Sequence, residues 1–285
     1  MNKKKLIALM FFLLCSQIFA GEQYEIFKQL LLNIKNHENS ECEEKIEKLD
    51  DINFRDQTTG YTLLIYAIGY DNIEVVKCLI NNGASLKIPV KGNLLPVYAA
   101  GILGKFEILK YLISLGEDID AKNNEGQTAL FFACKNGDLE HVKALVELGA
   151  NINSRCAENR ITPLIYAASY GRLDIVDYLI NVGAEIDAQG ENGATAVLAT
   201  CTNGYSGTAV LRRLIDEKAD LTLRYVNGTT ALMVAIGMGP YVEHVRLLLQ
   251  HNPDLSRKDN TGHTALDYAL QSGSRETINL LKSCK

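Results

Sequence analysis

The sequence predicts an all-α solenoid of stacked helix-turn-helix units joined by hairpin-like turns, and three observations carry that expectation. A six-residue phrase returns at Thr62, Leu95, Thr128, Thr162, Thr195, Thr230 and Thr264, at intervals of about 33 to 35 residues. Two sets of glycines keep step with it: Gly83, Gly116, Gly149 and Gly183 share one distance after a phrase start, and Gly60, Gly126, Gly193, Gly228 and Gly262 each lie two residues before one. A unit this short cannot bury its apolar face alone and must stack on its neighbours, so the chain reads as a linear array and as a binding surface rather than an enzyme.

The first element is a leader. Lys3, Lys4 and Lys5 precede an apolar run from Leu6 to Cys15 and a short zone from Ser16 to Ala20, the three parts of a secretory signal peptide. Residues 1–20 are therefore expected to direct export, periplasmic or secreted, with cleavage near Ala20. Retention as an anchor is the alternative, but the apolar run falls short of the ~20 residues a spanning helix needs, and stable membrane insertion of the mature chain is not expected. Lipid attachment at Cys15 would want a small residue where Leu14 stands.

The repeated unit is clearest in Thr162-Pro163-Leu164-Ile165-Tyr166-Ala167-Ala168, followed by Gly171, by Asp174-Ile175-Val176-Asp177-Tyr178-Leu179-Ile180, and by Gly183-Ala184. The threonine hydroxyl can accept from a free backbone N–H at a helix start, and Pro163 takes the first helical position, where no N–H is needed. Ala167 and Ala168 let neighbouring helices approach. Gly171 breaks the first helix so that a second, carrying Ile175, Val176, Leu179 and Ile180 on one face, folds back antiparallel. Gly183 ends it in a left-handed conformation that costs other residues about 1 kcal/mol or more.

This unit resembles the ankyrin repeat. The resemblance covers residues 56–285 as about seven repeats: 56–88, 89–121, 122–155, 156–188, 189–223, 224–257 and 258–285. Ile52 stands before Thr62 as Ile152 stands before Thr162, so residues 21–55 read as an N-terminal helical cap. The fourth place of the phrase, usually histidine in the family, holds Ile65, Tyr98, Phe131, Ile165, Leu198, Met233 and Asp267; apolar packing is expected to replace the threonine–histidine hydrogen bonding. Leu95 lacks the capping hydroxyl. Extra residues enter near Gly204 to Gly207 and near Gly239 and Pro240, and Lys218 and Asn252 replace the glycine that ends the second helix. The boundary between repeats five and six is the expected weak point.

Composition narrows the function. The net charge is −5 and becomes more negative once Lys3, Lys4 and Lys5 are removed, and no basic run interleaved with aromatics exists to neutralise phosphates, so nucleic acid is not an expected partner. Cys134 and Cys201 share one place in their repeats and read as small buried residues. Cys42 and Cys78, one layer apart, could be bridged in an oxidising compartment, while Cys156 and Cys284 could be free. No cysteine pairing has zinc spacing, and the five histidines are scattered. Neither a phosphate loop nor a nucleophile elbow occurs. Asp118 with Asp120, and Glu185 with Asp187 and Glu191, fall at turns where polar residues are expected. No metal, cofactor or catalytic residue is assigned.

What the resemblance implies about partners is more specific. In the family the inner, concave face is lined by the residue just before the threonine and by the two residues before the glycine that ends the first helix. Here those places give Tyr61, Tyr70, Leu94, Ile102, Leu103, Ile161 and Tyr170 as partner-binding residues. Gln127, Lys135, Asn136, Thr202, Asn203, Gln271 and Ser272 make the other repeats polar there, apart from Met238. Tyr66, Phe132, Tyr166 and Tyr268, one place further into each first helix than the histidine position, read as core. The expected function is a non-catalytic, exported interaction module, a monomer that binds another protein and inhibits or scaffolds it. The alternative is a secreted effector acting in a host cell through an undetected activity or a small-ligand site.

Overall fold

The computed structural model describes residues 21–90, 92–202, 204–239 and 241–283. The expected leader 1–20, Asn203, Pro240 and Cys284 lie outside the described residues. No strand occurs among the described residues; strand-like pairing is confined to isolated antiparallel bridges such as Arg55 with Thr62, Val90 with Leu94 and Arg224 with Thr230. These are the hairpin-like turns, each delivering the chain to the start of a first helix.

The chain divides into two compact units, one ending at Ala121 and one beginning at Lys122. The first holds α1 (21–36) and α2 (Asn39–Ile46) as the cap, then α3 (Leu63–Gly69) and α4 (Ile73–Asn81), then α5 (Pro96–Ile102) and α6 (Phe106–Ser114). Phe27, Leu30 and Ile34 of α1 and Cys42 and Ile46 of α2 are as buried as Val75, Val76 and Leu79 of α4, each large side chain contributing about 1.5–3 kcal/mol of hydrophobic stabilisation. Asn72 caps α4 by accepting from Val75 N at 3.2 Å and donates to Asn39 Oδ1 at 2.8 Å, which ties the cap to the first repeat.

The second unit pairs α7 (Ala129–Asn136) with α8 (Leu139–Glu147), α9 (Pro163–Ser169) with α10 (Leu173–Asn181), α11 (Ala196–Thr200) with α12 (Gly204–Asp216), α13 (Ala231–Gly237) with α14 (Val242–Leu249), and α15 (Ala265–Ser272) with α16 (Arg275–Ser283). The extra residues of the fifth repeat lengthen its second helix: α12 has 13 residues where α10 has 9, and α11 shrinks to 5.

Every phrase start is a helix N-cap. Thr62, Thr162, Thr195, Thr230 and Thr264 each accept from the backbone N–H three residues on, at 3.2–3.4 Å. Leu95 makes no such bond, and Thr128, although buried, leaves its hydroxyl unpartnered. The expectation that apolar packing replaces the family histidine throughout is corrected in the seventh repeat. There Asp267 Oδ2 accepts from Thr264 Oγ1 at 2.6 Å and from Thr264 N at 2.7 Å, completing a reciprocal cap.

The second helices end in left-handed residues. Gly83, Gly116, Gly149 and Gly183 have φ of 92°, 90°, 96° and 95°, and Lys218 and Asn252 adopt 63° and 49° in their place. In five repeats the following N–H closes the helix end, from Ala84, Glu117, Ala150, Ala184 and Ala219 to the carbonyl five residues back, at 2.9–3.2 Å. Pro253 has no N–H to give. The last turn of α14 instead tightens, with His251 N on Leu248 O at 3.1 Å and Asn252 N on Leu249 O at 3.2 Å, and a cavity of about 230 Å³ opens between Leu232, Leu248, Pro253 and Arg257.

Successive turns are linked by a recurring bond: Asn53 Oδ1 accepts from Ser85 N at 2.8 Å, Asn153 Oδ1 from Glu185 N at 3.0 Å, and Asp187 Oδ1 from Asp220 N at 2.8 Å. On the second helices Arg213 reaches Asp177 at 2.6 Å and Arg246 reaches Glu276 at 2.6 Å. Of the turn carboxylates, Asp187 thus serves a link between turns, and Asp118 accepts from Asp120 N at 2.9 Å within its own turn.

Cys134 and Cys201 are fully buried, and burial pushes the Cys201 thiol up to about 12. Cys42 and Cys78 are both free, although α2 packs on α4, so the bridge considered for them is not formed in this structure. Cys156 donates to Asn159 Oδ1 at 2.7 Å. No helix among the described residues is long and apolar enough to cross a membrane.

Candidate partner-binding surface

In the first unit the surface is built from loop tips and the C-terminal ends of first helices. The loop before α3 is held by Asp56, whose Oδ1 accepts from Thr58 N at 2.7 Å and Thr59 N at 2.8 Å, while Asp56 N donates to Tyr61 O at 2.8 Å. This places Tyr61 edge-on to Tyr66, with ring centroids 5.7 Å apart. Tyr66 in turn shares a hydrogen bond with Thr59 Oγ1 at 2.7 Å and lies 6.5 Å from Phe27, which packs on Phe54 at 5.4 Å. Tyr70 caps the C-terminus of α3 and Leu103 that of α5, and both stand out, 39% and 50% exposed. Ile102 and Leu94 are half-buried beside them. Asp71 and Lys105, 3.4 Å apart, neutralise one another at the edge of the patch.

In the second unit Ile161 is half-buried and Tyr170 is 40% exposed. Tyr170 lies 5.3 Å from Tyr166, whose ring sits edge-on to Phe131 at 5.6 Å. Burial, reinforced by Tyr170, pushes the Tyr166 hydroxyl up to about 12, so it remains a neutral donor at physiological pH. Next to this aromatic group the surface becomes polar: Lys135 and Asn136 are exposed, and the Arg172 guanidinium lies across Gly137 and donates to Lys135 O at 3.0 and 3.3 Å.

Tyr66, Phe132, Tyr166 and Tyr268 are half-buried, which corrects their reading as core. A first helix turns its fifth phrase position toward its own loop, and the Tyr66 and Tyr268 hydroxyls reach loop residues Thr59 and Asp259 at 2.7 Å. Sequence reasoning also missed Val226, 71% exposed. It sits on a loop strapped from both sides, its N–H on Asn192 O at 2.9 Å and its carbonyl accepting from Asn260 Nδ2 at 3.1 Å. A valine directly before the Asn227-Gly228 turn was the available sign. Met238, which stood out in the sequence, is 57% exposed.

Nothing in either surface assembles a nucleophile, base and oxyanion donor, and no His, Cys, Asp and Glu side chains group for a metal among the described residues. What both surfaces offer is tyrosine and branched aliphatic area with few fixed charges, the composition of protein interaction sites.

The comparisons agree. The family model described as Ankyrin repeats (3 copies) matches residues 12–123, 97–190 and 196–285. The chain is 31% identical over 220 residues to SH3 and multiple ankyrin repeat domains protein 2 of Homo sapiens, covering 75% of this chain and 12% of that protein. It is 30% identical over 208 residues to Ankyrin repeat and SOCS box protein 16 of Homo sapiens, covering 70% and 45%. A putative palmitoyltransferase of Danio rerio is 29% identical over 224 residues, covering 78% and 34%. The chain therefore spans less than half the length of these relatives. Among solved structures, the ankyrin repeat domain of Bcl-3 superposes with a TM-score of 0.66 at 25% identity, covering 78% of this chain and 99% of that one. The ankyrin fold is typically a non-catalytic module for protein–protein interaction. On its repeat register, its helix pairs and its match along most of the length, this chain belongs to the ankyrin repeat family.

Proposed function

We propose that this protein is an exported, non-catalytic binding module that engages another protein through its loop tips and first helices and inhibits or scaffolds that partner. The observation that carries the reading is the exposure of Tyr70, Leu103 and Tyr170 at one register position while Leu63, Leu64 and Leu164 beside them are buried. Burying such aromatic and aliphatic side chains against a partner is favourable, and their recurrence at one register position is what a protein interaction site offers. Export rests on the leader at 1–20; an intact mass beginning at or near Gly21 supports it, and retention of Met1 to Ala20 on the exported protein defeats it.

The binding test is a triple variant, Tyr70→Ala, Leu103→Ala and Tyr170→Ala, in affinity capture from envelope extract followed by calorimetry on the protein identified. Binding is expected to fall by about 2 kcal/mol or more with helix content unchanged. Wild-type affinity in the folded triple variant would place the partner on another face.

A further inference from the structure

His244 is a single imidazole sealed inside the second unit. It is 1% exposed, and its Nε2 has no hydrogen-bond partner of good geometry. The ring faces Gly207, where a Cβ would come within 3.2 Å of Nε2 and within 2.5 Å of the Thr200 carbonyl oxygen. The end of α11, the early part of α12 and the body of α14 therefore meet at one tight corner. That corner adjoins the extra residues of the fifth repeat.

Around the ring, the Gly207 backbone and Glu243 favour a proton, but burial outweighs both. The Tyr241 ring lies edge-on at 5.8 Å. Glu243, the adjacent carboxylate on α14, is paired with Arg212 of α12 at 3.5 Å, and Glu276 of α16 is held by Arg246. From α11 come the buried Thr200, whose hydroxyl is spent on Val197 O at 2.7 Å, and the buried Cys201 thiol. The sequence of α13 supplies no ionisable side chain.

We propose that His244 is an acid-sensitive latch on the joint between repeats five and six, holding the start of α12 closed while the ring is neutral and releasing it when the ring takes a proton. A buried imidazolium has to regain water, and the route to water is displacement of the turn that carries Gly207. Burial lowers the affinity of this ring for a proton, which fixes the sign. The closed state is at full strength above the ordinary histidine value of about 6.5 and weakens as pH falls below it toward the lowered folded value.

Amide exchange on the full chain, corrected for intrinsic pH dependence, tests this at about pH 7.5 and about pH 5. Opening of 207–212 relative to α10 should rise about tenfold at the lower pH, and His244→Gln should abolish the rise. An unchanged pH response in His244→Gln, or equal protection of the wild type at both pH values, overturns the proposal. Should the variant fail to fold, NMR titration of the His244 ring in the wild type decides: a midpoint below that of free histidine supports the latch, and one at or above it overturns it.

Discussion

Tyr268 donates its hydroxyl hydrogen to Asp259 Oδ2 at 2.7 Å, fixing the last loop to the helix that follows it. Asp259 also accepts from Thr261 N, Thr261 Oγ1 and His263 N through Oδ1, at 2.7–2.9 Å. Hydrogen bonds from Thr261 and Tyr268 hold this carboxyl well below the usual carboxylate range. A depressed folded pKa means that its stabilisation is present above the ordinary value near 4 and is lost as pH falls through the folded value. Local protection of the seventh repeat should therefore decline only in strong acid, and Tyr268→Phe should move that decline to higher pH. Amide exchange across 259–272 checks it; an unmoved profile would show that Tyr268 does not support the carboxylate.

Lys218 takes the left-handed conformation that glycine takes in four other repeats. Lys218→Gly should raise stability by about 1 kcal/mol, because the side chain's steric cost disappears and the bond from Ala219 N to Leu214 O at 3.0 Å is kept. Urea unfolding gives the measurement. A loss of stability would mean that chain entropy outweighs strain at this turn.

Gly126 and Gly149 separate two reasons for a glycine. Both have positive φ, but a Cβ at Gly149 meets open space while one at Gly126 collides with the Ala157 backbone. Gly149→Ala should cost about 1–2 kcal/mol from conformation alone. Gly126→Ala should cost more and should loosen the bond from Ala157 N to Glu125 O, 3.1 Å in the native turn. Equal costs in thermal unfolding would deny the close approach any role.

Leu164 is 1% exposed in α9. Leu164→Ala should cost about 2–5 kcal/mol and reduce partner binding only in proportion to the unfolded fraction. A folded Leu164→Ala protein that nevertheless fails to bind would mean that this core position shapes the surface directly.

The repeat register was legible because its sources are local. Threonine before an apolar run, proline at the first helical position and glycine at a left-handed turn each act within a few residues, and Thr162, Pro163 and Gly183 sit where that chemistry puts them. The exposure of Tyr70, Leu103 and Tyr170 followed from the same register. Tyr66 and Tyr166 were misread because hydrophobic pattern alone does not distinguish a ring facing its own loop from one facing the next helix. Asp267 was misread because it was weighed only as the place of a missing histidine, whereas a threonine with a carboxylate three residues on is itself the sign of a reciprocal cap. The corner at His244 was invisible in sequence, since Gly207, Thr200 and His244 converge only when three helices are in place.

The bonds from Asn53 to Ser85, Asn153 to Glu185 and Asp187 to Asp220 have a genetic consequence. Each acceptor addresses a backbone N–H, which every residue except proline possesses, so these three links are indifferent to the neighbour's side chains, unlike the pairs Arg213 makes with Asp177 and Arg246 with Glu276. Duplication or deletion of one whole period leaves such contacts intact, whereas a frame slip of a few residues breaks them at once. Exposed positions such as Tyr70 and Tyr170 take no part in these links, so substitution there leaves this set of turn-to-turn bonds in place.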